Sequence, residues 1–201
     1  MTGWMTKAFA GALAVTLSAC GPLVQIGGGG AVPDSLLTLE STAGPPGPLS
    51  GPPLLIRLPE VPGKVRTMRI PVTTASNQIQ YLADANWIEQ PNLLFQQLVA
   101  DVVTAQLNMP VIEESNPSIS PRARLSGRLL EFGLDVTGAP QVEVRYDAVL
   151  TASDGSFIGS RSFTAREPVL SQSGPDVADA LSTASNRIAV DLAGWLGSSL
   201  G

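Results

Sequence analysis

Residues 141–165 read QVEVRYDAVLTASDGSFIGSRSFTA, and this stretch decides the fold. Val142, Val144, Tyr146, Ala148 and Leu150 alternate with Glu143, Arg145 and Asp147. Successive side chains of a strand point to opposite faces, so a period of two predicts a strand with one face buried and one wet. Asp154-Gly155 supplies the chemistry of a hairpin turn. Phe157, Gly159, Arg161, Phe163 and Ala165 continue along a partner strand, with Arg161 interrupting its apolar face. Upstream, Gly138-Ala139-Pro140 makes a turn, and residues 124–136 form a long, only partly alternating segment read as a third strand. The three strands make an antiparallel meander.

A helical pattern lies on each side of the meander. Within residues 92–107, Leu94, Leu98, Val102 and Ala105 recur at helical spacing, with Pro91 at the start and Pro110 beyond the end. After Gly174-Pro175-Asp176, an apolar stripe runs through Val177, Leu181, Ala184, Ile188, Leu192 and Trp195, and Gly197 and the following serines are expected to end it. Towards the N-terminus, residues 54–58 read as a buried strand stopped by Pro59. Residues 67–73 read as a strand that Pro71 pushes towards a sheet edge. Ser76-Asn77 turns the chain so that residues 78–82 pair back, and residues 36–39 suit a short strand. The fold class is therefore α+β: a mostly antiparallel β-sheet with two α-helices packed on one face, which buries both stripes.

The first twenty residues read as an export signal. Lys7 gives a thin positive start, and residues 8–17 form an apolar run too short to span a bilayer. Leu17-Ser18-Ala19-Cys20 resembles the bacterial lipobox. That resemblance implies cleavage before Cys20, a diacylglycerol on its sulfur and an acyl chain on its new amino group. An ordinary signal peptide with a chance cysteine is the rival reading. Gly21 in place of aspartate favours the outer membrane over the inner, by resemblance to enterobacterial sorting rules. Residues 21–52 hold eight Gly and six Pro, a composition that does not bury enough surface to fold alone. The division expected is a signal peptide over 1–19, the lipidated cysteine and a flexible tether over 20–33, and a single domain over 34–201.

The composition narrows the chemistry. The 201 residues carry a net charge of −5, no histidine and one cysteine. An acidic chain lacks the basic footprint of a nucleic-acid binder. Without histidine, imidazole-based catalysis and imidazole metal sites are excluded, and one thiol makes no multi-thiolate zinc site. Asp84, Glu89, Asp101 and Glu113-Glu114 are scattered and read as solvated surface charge. No catalytic residue, metal ligand or cofactor is implied; the only covalent addition expected is lipid on Cys20. Tyr81, Trp87, Trp195 and the Val61-Pro62-Gly63 turn stand out. Trp195 belongs to the helical stripe and reads as core. Trp87 is either a staple for the first helix or an exposed aromatic at a protein contact, and Tyr81 is carried with it as a candidate contact.

These residues resemble a family. Residues 54–58, Pro59-Glu60-Val61-Pro62, Ile79-Gln80-Tyr81, Ala85-Asn86-Trp87 and a helix carrying Leu94 and Leu98 are similar to the ABC-type transport auxiliary lipoproteins, the family of paraquat-inducible protein C. The final strand pair and the C-terminal helix with its tryptophan also match, over roughly residues 34–197, although Leu36-Leu37 stands where an aromatic pair is usual. The resemblance implies a non-enzymatic partner of ABC transporters whose substrate-binding subunit carries a mammalian-cell-entry (MCE) domain. It also implies lipid traffic between the two membranes, residence facing the periplasm, and association with further copies. An accessory to another envelope-assembly machine and a lipid-binding periplasmic lipoprotein are the alternatives.

Overall fold

The computed structural model describes residues 35–113 and 119–201. The alternating segment folds as strand β6, Gln141–Ala152, with its even-numbered residues from Val142 to Leu150 buried. It is flanked by β5, Ala123–Asp135, and β7, Phe157–Pro168, both antiparallel to it. Gly155 takes the positive φ of 89° that the β6–β7 turn demands. The broken alternation of β5 has a simple cause. A register shift between Leu129 and Glu131 inserts one extra residue, so the buried positions switch from Leu125 and Leu129 to Phe132 and Leu134.

The remaining strands are β1 (Leu54–Ile56), β2 (Arg69–Ala75), β3 (Gln78–Asn86) and β4 (Val111–Ile112). One side of β5 ladders with β6; its other side is shared, β1 pairing with Ala123–Leu125 and β2 with Leu134 and Asp135, both parallel. β3 flanks β2 antiparallel and β4 flanks β1 parallel. The seven-stranded sheet is thus mixed, with its long ladders antiparallel. The edge position expected for Pro71 is corrected: β2 lies between β3 and β5. The proline is tolerated because the β2–β3 register shifts between Arg69 and Pro71 while pairing with β5 begins only at Val72. Residues 36–39 form no strand, only a bridge from Leu37 to Trp87.

Helices α1 (Pro91–Leu107) and α2 (Gly174–Leu200) pack together and on the sheet. α1 ends where Asn108 turns left-handed. α2 continues through Gly197 instead of stopping there. A Cβ at that glycine would meet Leu107 at 3.2 Å, so its absence lets the helices close up. The Phe95 ring of α1 packs tilted against Tyr146 at 5.3 Å, and the Trp195 ring of α2 meets Phe163 edge-on at 6.0 Å. The expected core role of Trp195 holds at the rim of this interface. Asn92 and Gln96, one turn apart on α1, donate to the Pro59 carbonyl at 3.2 Å and the Ile56 carbonyl at 2.8 Å. They tie the helix to the backbone of and just beyond β1 with buried amides.

Two predictions arise from this core. A Cβ at Gly127 would meet the Asp147 carbonyl and stand 2.7 Å from the Tyr146 ring. Gly127→Ala must prise β5 from β6, and chemical denaturation should show a loss of about 1–3 kcal/mol. Burial pushes the Tyr146 phenol above its ordinary range. A group raised on folding supports the fold below its unfolded pKa and withdraws that support as pH climbs towards the folded value. Stability should therefore decline above pH about 10, and Tyr146→Phe should flatten that decline. Equal slopes in the two proteins would assign the decline to other groups.

Candidate functional site

Cys20, the signal peptide over 1–19 and the tether over 20–33 lie outside the described residues. The two candidate aromatics lie within them and are not brought together. Trp87 follows the end of β3 with none of its surface exposed, and its ring packs against Phe132 at 5.6 Å. Its reading as an exposed contact is corrected, because the Leu37 bridge on one side and a bond from its N–H to the Met68 carbonyl, at 2.7 Å, fix it in the core. The indole Nε1 finds no hydrogen-bond partner among the described residues. Tyr81 sits mid-strand on β3, half-buried, with the Arg69 guanidinium 4.9 Å from its ring centre. It remains available to a partner; Trp87 does not.

Residues 35–50 run across the domain as an extended strap. Leu37 donates to the Asn86 carbonyl and accepts from the Ile88 N–H, both at 2.8 Å. The chain then crosses α2, where Asn186 reads its backbone as a neighbouring strand would. Asn186 Nδ2 donates to the Glu40 carbonyl at 2.7 Å, while Oδ1 accepts from the Thr42 N–H at 2.9 Å and the Thr42 hydroxyl at 3.0 Å. Nδ2 also donates to the Ser182 carbonyl within its own helix at 2.9 Å. Further on, Asn108 Oδ1 accepts from the Gly47 N–H at 2.7 Å and its carbonyl from the Ser50 N–H at 3.0 Å. Sequence reasoning missed both asparagines. A signal existed: Ala178, Ser182, Asn186 and Val190 recur every four residues beside the apolar stripe, a row suited to receiving an extended chain.

The sheet face opposite the helices is charged and open. Arg166 grips Glu143 through Nε at 3.1 Å and Nη2 at 2.9 Å, Ser162 donates to Asp147 at 2.7 Å, and Lys64 pairs with Glu131. Over the short β2–β5 ladder, a groove of about 240 Å³ opens between Lys64, Thr73, Ser76, Glu131, Asp135 and Glu143. The Thr137 hydroxyl at 2.7 Å and N–H at 2.9 Å hold the Asp135 carboxyl below its usual range. Lys64, Glu131, Asp135 and Glu143 are thus already engaged by neighbours, which suits a polar contact surface better than acid–base chemistry. Among the described residues no group of three acids or thiols is placed to hold a metal ion, and no helix is long and apolar enough to cross a membrane.

Comparison with known proteins fits this arrangement. The structure of protein XCC0632 from Xanthomonas campestris shares the fold, with a TM-score of 0.70 at 21% identity, over 82% of this chain and 94% of that one. A second solved structure, of an uncharacterized protein, gives a TM-score of 0.64 at 15% identity, over 78% of this chain and 99% of that one. No curated protein matches the sequence. The model of the family described as "ABC-type transport auxiliary lipoprotein component" matches residues 35–193. That span takes in the strap, all seven strands and most of α2, and so the chain belongs to the ABC-type transport auxiliary lipoproteins.

Proposed function

We propose that this chain is the membrane-anchored auxiliary lipoprotein of an MCE-type lipid transport system, which docks the periplasmic end of the transport assembly at the outer membrane. The carrying observation is one juxtaposition: a tetrapeptide that resembles a lipobox and ends in Cys20, shortly before a family match that begins at residue 35. The family is an auxiliary transport component and not an enzyme family. Its members' part in transport is therefore assistance, and attachment plus contact is the chemistry this chain offers.

In this reading Cys20 carries a thioether-linked diacylglycerol and an N-acyl chain. Each buried methylene contributes about 0.8 kcal/mol, so three chains hold the protein on the bilayer. A flexible chain with the length of residues 21–33 would span about 20 Å. The domain then stays near its own membrane, and the partner crosses most of the gap. The open charged face, with Glu143–Arg166 and Lys64–Glu131, gives that partner a polar surface with register. Affinity capture from detergent-solubilised membranes tests the proposal. An MCE-domain protein should co-purify; recovery of cell-wall enzymes alone would count against it.

A further inference from the structure

We infer that the strap sets the working length and the exit point of the membrane tether, with Asn186 as its clasp. The inference rests on the proposed acylation of Cys20. Were the strap free, the chain from Cys20 would run to β1 at Leu54, and a free chain over residues 21–53 spans about 30 Å. With the strap docked, the described domain begins at Ser35, and a free chain with the length of residues 21–34 would span about 20 Å. Docking therefore shortens the reach and moves the point of departure to Ser35, beside the Leu37–Trp87 bridge.

The clasp is polar more than it is packed. Leu37, Leu39 and Ala43 press against the core, but clefts of about 400 Å³ and 270 Å³ open along the strap where it meets α2 and then α1. In the wall of the first cleft the main hold is the Asn186 amide, buried at 7% exposure and bonded to both Glu40 and Thr42, with the Ser182 hydroxyl accepting from the Glu40 N–H at 3.4 Å. A side-chain amide that satisfies one carbonyl and one N–H of an extended chain fixes its register as well as its place. Beside the exit, Leu36 and Ile88 stand 54% and 53% exposed. The far end of the domain carries Phe157 and the C-terminal turns of α2, where Trp195 lies 3.5 Å from the Cβ position of Gly159. The length of α1, roughly 25 Å, separates the two ends.

The test uses the mature lipidated protein in vesicles of phosphatidylethanolamine and phosphatidylglycerol. Glu89→Cys marks the exit end and Phe157→Cys the far end; each is labelled with a donor against acceptor lipids, the Cys20 sulfur being consumed in its thioether. Transfer at position 89 should exceed transfer at 157 at least twofold, and Asn186→Ala should shrink that difference. Hydrogen exchange at the Thr42 amide should rise about tenfold in Asn186→Ala, with the β5, β6 and β7 amides unchanged. Asn186→Asp, which keeps the acceptor and loses the donor, should give a smaller rise and guards against a variant that fails to fold. Equal transfer at the two positions, or unaltered exchange at Thr42, overturns the inference. Intact mass separates the two ideas: missing acyl chains would sink the anchor at Cys20, while exchange would still score the clasp.

Discussion

Cys20→Ser should leave a protein without acyl mass that no longer partitions as a lipoprotein. The sole thiol is the only group able to take a thioether-linked diacylglycerol. A single acyl chain binds membranes only marginally, and three bind in effect permanently, so the change is close to all-or-none. Intact mass is the first reading, because a variant that keeps its leader remains attached through the apolar segment over residues 8–17. Alkaline extraction of membranes from cells making the variant behind the cleavable leader of a soluble exported protein is the second. Full retention of membrane binding, with the same mass shift as the parent, would remove the anchor from the account.

Trp87→Ala should be the most damaging single change in the folded domain. The side chain is fully enclosed, packs on Phe132 and is held from both sides by the strap and by Met68. Deleting a buried tryptophan costs about 3–5 kcal/mol. For a domain of this size each kcal/mol lowers Tm by about 2–4 °C, so a fall on the order of 10 °C is expected. Trp87→Phe should recover much of that loss, since the indole N–H has no partner to give up among the described residues. A variant as stable as the parent, but defective in partner capture, would restore Trp87 as a contact residue and contradict its place in the core.

Much of the fold was legible because periodicity reports burial. The alternation from Val142 to Leu150 and the helical stripe from Val177 to Trp195 both record which side faces the interior. Legibility failed where one backbone position outweighed a pattern. Pro71 speaks for an edge, yet two interrupted ladders let it lie inside the sheet. Gly197 speaks for a stop, yet it exists so that Leu107 can approach. Trp87 looks alike as a staple or as a contact, because one sequence does not say what will cover a large aromatic. The resemblance of residues 17–20 to a lipobox rests on residue types alone, since that motif is local. The Asn186 clasp was not, because its partners lie 144 to 146 residues away.

The shared flank of β5 has a consequence for how the chain comes together. The β2–β3 hairpin and the β1–β4 pair join the same sheet only through β5. The N-terminal half finds no rail to align on until residues 123–135 are made. Non-local pairing of this kind is slow, since ends far apart in sequence must meet before any ladder can form. The leading half therefore cannot complete its sheet until β5 is available to it.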